Sequence, residues 1–215
     1  MEYTSDSNHK NPSGVREPQT VYTNKKQGEF TIDDYRVFSE DKRYELIDGF
    51  LIEMHAPSSA HQSIAASLYT AIADFIHDSH KPCRAWFAPI DVQLDCDEHT
   101  MLQPDILIVC DSSKIRRFGI YGAPDFIAEI LSASTRLRDL TVKAGKYAQA
   151  GVREYWIIDP EKEVLITYNF MDRDYIPVIH SLKGKVSPQI YDGELQIDLT
   201  PISEIIREFK EELAD

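Results

Sequence analysis

The chain has few cysteines and no long apolar run, and both shortages exclude whole classes of protein. Its three cysteines, Cys83, Cys96 and Cys110, are far apart and form no CxxC pair. This pattern predicts reduced cytosolic thiols and argues against a disulfide framework and a zinc site. No apolar run approaches the roughly 18 residues that suggest a transmembrane helix, and the polar N-terminus lacks the apolar segment of a secretory signal. We therefore expect a cytoplasmic protein that does not bind a membrane.

Positive charge is also scarce, because the 215 residues carry a net charge of -13. Phosphates attract cationic surfaces, so this balance argues against a general nucleic-acid binder. The distribution is uneven, however. Between Lys114 and Arg153 eight basic residues meet only three acidic ones, so this stretch carries +5 and the remainder carries -18. A basic middle could steer a phosphate substrate, or it could be a solvated fluctuation without a role.

The spacing of apolar residues predicts a single α/β domain at residues 29–215, preceded by a flexible tail at residues 1–28 that lacks apolar periodicity. Helical spacing predicts helices near residues 31–39, 59–78, 139–150 and from 200 onward. Strands are predicted at residues 44–47, 50–54, 84–94, 106–109, 126–131, 155–158 and 164–168. We expect Asp139 to cap the third helix and Gly151 to end it. Helices interleaved with a mixed sheet indicate the α/β class.

Two carboxylates lie in apolar surroundings. Asp105 directly precedes an apolar run, and Glu129 lies inside another, Phe126–Leu131. Both faces of that second strand are apolar, which predicts a central strand with Glu129 at least half buried. A buried, ionised carboxylate is costly unless a cation compensates it. The compensating group could be an arginine in a structural ion pair, the more common case for a lone buried glutamate, or a divalent metal.

Lys143 is the third charged residue of interest. It falls at the edge of the apolar stripe of its helix, whereas Lys146 points further outward. Taken alone, a lysine whose stem covers apolar surface is the commoner explanation. Together with Asp105 and Glu129 it favours a hydrolytic site. Two carboxylates can hold a hard cation such as Mg²⁺, the cation can activate a water for attack on a phosphate, and the lysine can orient that water or neutralise developing charge.

The order of four sequence blocks is specific to one family. The blocks are Tyr44–Gly49, Gln103–Ile106, Ala128–Thr135 and Lys143–Pro160. Together they resemble the Uma-two family, bacterial proteins grouped with restriction endonucleases and first catalogued as a domain of unknown function. This family belongs to the PD-(D/E)XK nuclease superfamily. The resemblance covers roughly residues 30–168, and its last block is the most specific. It implies a restriction-endonuclease-like core of mixed β-sheet flanked by helices, a divalent-metal site for Mg²⁺ or Mn²⁺, and a homodimer.

The resemblance also implies roles for individual residues. Pro104 and Asp105 match the "PD" element, and Glu129 matches the second acid. Glu45 resembles an additional acid that many members of the superfamily contribute from an early element. The resemblance therefore implies a metal held by Asp105, Glu129 and Glu45, with Lys143 as the fourth catalytic residue.

The sequence departs from the superfamily pattern at two positions. The usual lysine would stand two residues after the second acid, where this chain has Leu131, and Lys143 on the next helix matches the position to which the family moves it. Ala133 replaces the proline of the family's Ser-Pro-Ser-Thr turn, a change that affects the turn and leaves the metal site intact.

Three functions compete for this set of residues. The first is Mg²⁺- or Mn²⁺-dependent hydrolysis of phosphodiester bonds in DNA, which the retention of every candidate ligand favours. The second is a catalytically silent module that keeps the nuclease fold and binds nucleic acid or a protein partner, which the acidic surface favours. The third is an acid–base hydrolase using His61 with a carboxylate, but the chain lacks a nucleophile motif such as GxSxG. His61 could contact substrate or Glu45, although a helix-face histidine with a structural role is the commoner case.

Overall fold

Residues 24–39 and 42–212 are described by the structure, a computed structural model. Its helices are α1 (Ile32–Phe38), α2 (Ser59–Asp78), α3 (Arg136–Arg138), α4 (Ala144–Ala150) and α5 (Thr200–Glu212), and a π-helical turn, Asp139–Lys143, joins α3 to α4. Its strands are β1 (Tyr44–Ile47), β2 (Phe50–Glu53), β3 (Arg84–Phe87), β4 (Val92–Gln93), β5 (Ile106–Val109), β6 (Ile115–Arg116), β7 (Gly119–Tyr121), β8 (Phe126–Ile130), β9 (Glu154–Asp159), β10 (Val164–Asn169), β11 (Val178–Ser181), β12 (Lys185–Val186) and β13 (Ile197–Asp198). Single turns of 3₁₀ helix lie at Ser112–Lys114 and Gln189–Tyr191.

Six strands form the main sheet, in the order β11-β10-β9-β8-β5-β3. The β8–β9 pair is parallel and the other pairs are antiparallel. Both β8 and β9 are buried along their whole length, as their apolar sequences require of central strands. The predicted α/β fold with a mixed sheet flanked by helices is therefore confirmed. Smaller sheets, β1-β2, β4-β7-β6 and β12-β13, complete the architecture.

Each face of the main sheet is covered by a separate apolar layer. On one face the inward side of α2, with Ile64, Leu68 and Ile72, packs beside α5. On the other face α4 contributes Ala144 and Tyr147, and the small sheets of β1-β2 and β4-β7-β6 extend the layer. Because side chains alternate along a strand, the residues of β8 divide between these two layers.

The N-terminal part of the domain follows its sequence signals closely. The Thr31 backbone N–H donates to Asp34 Oδ2 at 2.7 Å, which forms part of a capping box at the start of α1. Asp48 and Gly49 both have positive φ in the turn between β1 and β2, the backbone conformation that a tight hairpin turn requires. The backbone N–H of Gly28 donates to the carbonyl of Gly49 at 2.9 Å. Contacts with the domain thus begin before residue 29, while most of the predicted tail lies outside the described residues.

Two predicted elements have different bounds in the structure. Residues 84–94 do not form one strand, because Pro89 has no backbone N–H to continue a sheet ladder, and β3 and β4 belong to different sheets. The helix predicted from residue 139 begins at Arg136 instead, after the backbone N–H of Arg136 bonds to the carbonyl of Ser132 at 3.0 Å. Asp139 is therefore not the helix cap and lies buried inside the π-turn. Gly151 ends the helix with φ of 92°, as predicted.

The prediction of three reduced thiols is wrong for two of them. Cys83 and Cys110 form a disulfide, and Cys96 is free and exposed. Arg84 pairs with Val109 across β3 and β5, so the two cysteines stand next to each other at the adjoining position of the same strand pair. Their separation of 27 residues gives no sign of this proximity.

Among the described residues, none of the helices combines the length and the apolar character needed to cross a membrane.

The Gly49 position gives a direct test of the hairpin that carries Glu45. A Cβ on Gly49 would lie 2.5 Å from the carbonyl oxygen of Gly28, and its φ of +78° already strains any other residue. Gly184 has the same φ but nothing within 4 Å of the added atom. We expect Gly49→Ala to lower the free energy of unfolding by about 2–4 kcal/mol and Gly184→Ala by about 1 kcal/mol, as measured by urea unfolding. Equal losses would show that the contact with Gly28 relaxes at no cost.

Candidate active site

Strand register brings Asp105 and Glu129 together. Ile106 pairs with Ala128 in the antiparallel β5–β8 ladder, and continuing this register by one residue sets Asp105 opposite Glu129. The backbone N–H of Asp105 donates to Glu129 Oε2 at 3.2 Å, and the backbone N–H of Ile130 donates to Asp105 Oδ2 at 2.8 Å. Directly opposed residues project on the same face of a sheet. The two acids therefore meet at the end of β5, beside the centre of the main sheet.

Lys143 lies at the centre of a buried group of three carboxylates. Its Nζ is 2.9 Å from Glu45 Oε1, 2.9 Å from Glu129 Oε1 and 3.3 Å from Asp139 Oδ1. The lysine is only 2% exposed. The hydroxyl of Tyr147 also donates to Glu129 Oε1, at 2.9 Å. The side chain of Glu129 is thus fixed by two donors from the same helical segment.

The helical phase predicted that Lys143, and not Lys146, would point inward, and this is confirmed. Lys146 instead binds Asp48 at 2.7 Å and Asp95 at 2.5 Å, near the surface. The burial of Lys143 exceeds the prediction, which set it only at the edge of the apolar stripe. An added residue in the π-turn rotates the helix on either side of it, and such turns are frequent at functional sites.

Burial and charge together shift the titration of this cluster. Burial raises the pKa of the Glu129 carboxyl well above its ordinary range, against the opposing attraction of Lys143. The pKa of Asp139 is also raised by burial. Burial disfavours the charged form of Lys143, but the carboxylates of Glu129, Glu45 and Asp139 outweigh this effect and hold its pKa well above the ordinary value. Lys143 is therefore a permanent cation at neutral pH.

His61, at the start of α2, reaches Asp105 from the opposite face of the sheet. Its Nε2 is 3.1 Å from Asp105 Oδ2, so the histidine contacts Asp105 and not Glu45. Burial lowers the pKa of His61. The hydrogen bond to Asp105 and the negative charge of that carboxylate raise the pKa by more, so the net shift is upward. Asp105 is thus held both by the His61 ring and by the Ile130 backbone.

These side chains surround one cavity of about 630 Å³, which we call the central cavity. Asp105, Glu129 and Lys143 line it, and so do His61, Arg43, Arg138, the segment 54–58 and the turn 132–135. Glu45 is fully buried and is absent from this lining, because Lys143 stands between it and the cavity. The structure therefore brings all five expected residues into one neighbourhood but separates Glu45 from the open space.

The donor set fits one kind of metal better than others. Within residues 24–39 and 42–212 no group of three or more His, Cys, Asp or Glu is arranged to hold one metal ion, and the metal role expected of Asp105, Glu129 and Glu45 stays a prediction. Four acids line the central cavity, Glu53, Asp105, Glu129 and Asp139, and of these Asp105 and Glu129 oppose each other across β5 and β8. Mg²⁺ is commonly bound through one or two carboxylates and completes its shell with water and substrate phosphate oxygens. The two facing acids therefore fit Mg²⁺ or Mn²⁺, and an all-protein zinc cage is not present among these residues.

Sequence reasoning missed several residues of this site. Asp139 was interpreted as a helix cap, and Tyr147 was not singled out as a site residue. The four-residue spacing from Asp139 to Lys143 is the signal that could have identified the first. Arg43 and Arg138 stand beside recognisable blocks, yet nothing in the sequence shows that they line a cavity.

The fold and the paired acids at the end of β5 define a protein of the restriction-endonuclease-like class. Residues 31–200 match the Uma2 family, described as "Putative restriction endonuclease", and the chain belongs to that family. A solved structure from Anabaena variabilis, described as a "putative nuclease belonging to DUF820", is 19% identical in sequence. The similarity covers 82% of this chain and 99% of that one, with a TM-score of 0.66, so the two share a fold. No protein of curated function matches the chain significantly.

Lys143→Met tests whether the buried ion cluster depends on this ammonium. The variant leaves Glu45, Glu129 and Asp139 without their shared cation, so we expect a loss of about 3–5 kcal/mol in unfolding free energy at neutral pH. Folding then favours the protonated acids, whose pKa values lie above the ordinary 4.5 and 3.8 of Glu129 and Asp139. The loss should consequently shrink as pH falls toward those values.

The matched control is Lys146→Met, which removes a lysine three residues away whose partner Asp48 is exposed. We expect it to cost at most about 1 kcal/mol at any pH. Urea unfolding at neutral and mildly acidic pH measures both variants. A loss for Lys143→Met that does not change with pH would mean that packing, and not charge, accounts for it.

Proposed function

We propose that this chain is a divalent-metal-dependent nuclease that hydrolyses phosphodiester bonds in DNA, with Mg²⁺ or Mn²⁺ as its cofactor. One observation carries the proposal: Asp105 and Glu129 oppose each other across β5 and β8, face one cavity, and have the permanent cation Lys143 bound to Glu129. Paired carboxylates with an adjacent lysine are suited to hydrolysis of a phosphate ester. Membership of a family described as restriction endonucleases supports the same activity.

In this proposal Asp105 and Glu129 hold the cation. When bound, a divalent cation polarises a phosphoryl oxygen and lowers the pKa of a water in its shell. His61 and the Ile130 backbone hold the Asp105 carboxylate in place, and Tyr147 does the same for Glu129. These fixed hydrogen bonds keep both acids oriented without reorganisation when substrate arrives.

Lys143 supplies positive charge beside the reacting phosphate. Because its pKa is held well above the ordinary value, it acts as a fixed positive charge that stabilises developing negative charge, and it does not act as a base. Asp139 and Glu45, which does not line the cavity, hold this ammonium in place. We therefore propose that Glu45 contributes by positioning Lys143, in place of the metal-ligand role that the family resemblance implies.

A catalytically silent binding module is the second candidate, and the net charge of -13 is the observation that favours it. Such a module would gain nothing from burying four carboxylates in one cluster, since the cluster is costly to fold. The homodimer that the family resemblance implies stays a prediction.

Cleavage of supercoiled and linear DNA, followed on gels with Mg²⁺, Mn²⁺ or EDTA, tests the nuclease proposal. We expect cleavage with either metal, none with EDTA, and a loss of at least about 100-fold for Asp105→Asn, which keeps the shape of the side chain but removes a ligand charge. Asp172→Asn, an exposed acid outside the cavity, is the matched control and should cleave normally. Binding of DNA without cleavage under every condition would support the silent module instead.

Metal affinity should fall as the pH is lowered. Protons compete with the cation for Glu129, whose pKa is raised by burial, so competition begins above the ordinary carboxylate range. Calorimetric titration with Mn²⁺ at pH values from mildly alkaline to mildly acidic should show this decline. We expect Asp105→Ala to abolish binding and Lys143→Ala to retain it with equal or higher affinity, because that variant removes a competing cation. Unchanged binding by Asp105→Ala would show that the metal site lies elsewhere.

A further inference from the structure

Two arginines in the wall of the central cavity keep donors that no carboxylate accepts. Arg43 and Arg138 both line this cavity, next to Asp105 and Glu129. Other basic side chains near the site are already engaged. Lys143 is bound to three acids, and Lys146 to two.

Arg138 is held in the wall without a hydrogen-bond acceptor among the described residues. Its side chain is 20% exposed, and its Nε is buried and unpartnered. Glu45 Oε2 lies 3.7 Å from that Nε, within range of charge attraction but too far for a hydrogen bond. An arginine has five N–H donors, and a largely buried one normally donates several of them. The Nε therefore faces Glu45, whose Oε2 is likewise buried without a hydrogen-bond partner, and the Nη donors of Arg138 are the ones that no acceptor among the described residues takes.

Arg43 is held by a neutral group. Its Nε and Nη2 both donate to Gln103 Oε1, at 3.2 and 2.9 Å. The Gln103 amide is itself fixed, because its Nε2 donates to Tyr35 and to Asp91, each at 2.9 Å. The guanidinium is therefore positioned, yet among the described residues no carboxylate neutralises it and its Nη1 remains available.

We propose that Arg43 and Arg138 form a subsite for a backbone phosphate of the nucleic-acid substrate, beside the phosphate that reacts at Asp105 and Glu129. This inference rests on the proposed nuclease function and names the residues that hold the strand. The planar guanidinium forms paired, charge-assisted hydrogen bonds with phosphate oxygens and loses little hydration in doing so.

The arrangement of charge around the cavity supports a phosphodiester strand over other anions. Asp105 and Glu129 repel a free anion, so the arginines attract only a ligand that also brings a cation or spans beyond the acids. A strand with repeated phosphates spans beyond the acids, with one phosphate near the acids and the next at the arginines. Arg43 and Arg138 also explain how a protein with a net charge of -13 can bind phosphate. The strand meets the wall of the cavity, where these two arginines lie, and does not meet the whole acidic surface.

Salt-dependent binding of a fluorescein-labelled DNA duplex, measured by anisotropy with the full-length protein in EDTA, tests this subsite. Each arginine that contacts a phosphate contributes about 0.9 to the slope of log K against log salt. We expect Arg43→Gln and Arg138→Gln each to weaken binding on the order of fivefold to tenfold and to reduce that slope by about 0.9. Arg138→Lys should keep the slope, because it keeps the charge, but bind less tightly than the parent.

Arg173→Gln is the matched control, since Arg173 is exposed outside the cavity and the substitution removes the same charge. It should leave affinity and slope unchanged. Thermal unfolding checks each fold, and if Arg138→Gln does not fold, Arg43→Gln decides the matter alone. An unchanged slope in the folded variants, a loss in Arg173→Gln of equal size, or no binding by the parent would overturn the subsite.

Cleavage by the parent with Mg²⁺ or Mn²⁺ is assayed separately, so the two proposals can fail independently. Reduced slopes in a protein that never cleaves would leave the phosphate subsite standing and sink the nuclease function. Cleavage by the parent, with unchanged salt slopes in the arginine variants, would support the nuclease function and overturn the phosphate subsite.

Discussion

The structure depends on one buried ammonium. Lys143 binds Glu45 from β1, Glu129 from β8 and Asp139 from its own π-turn, so a hairpin, the central sheet and a helix meet at a single atom. Burying so many charges is costly, and only a group that satisfies several acids at once makes the arrangement stable. The same contact keeps Glu129 oriented toward the central cavity. Stability and chemistry therefore rest on the same side chain.

The position of Lys143 gives the surrounding acids different surroundings. Asp105, Glu129 and Asp139 line the cavity, while Glu45 binds Lys143 and does not reach the open space. The wall of the cavity carries the opposite sign through Arg43 and Arg138. An acidic protein can thus present a small region of alternating charge that suits a strand with bound metal, without the broad basic surface that general nucleic-acid binders use.

The sequence predicted those features that local patterns encode. Buried acids within apolar runs identified Asp105 and Glu129, helical phase selected Lys143 over Lys146, and a glycine marked the end of the helix at Gly151. The sequence did not predict features that depend on tertiary packing. The π-turn that buries Asp139, the strand register that joins Cys83 to Cys110, and the position of Glu45 behind Lys143 all depend on elements distant in the chain. A motif search that expects lysine two residues after the second acid would also miss this site, because Leu131 stands there.

Gln103 connects the wall of the cavity to the N-terminal helix α1 through hydrogen bonds. Its amide joins Arg43 to the Tyr35 hydroxyl of α1, and its backbone N–H donates to Glu45 at 3.1 Å. α1 adds no strand to the main sheet, so it could be mistaken for a removable appendage. A shortened chain that begins after α1 would lose Tyr35, which accepts from the Gln103 amide and donates to Asp91 at 2.7 Å. The Gln103–Asp91 bond would then be the remaining side-chain contact that fixes the amide on which Arg43 rests.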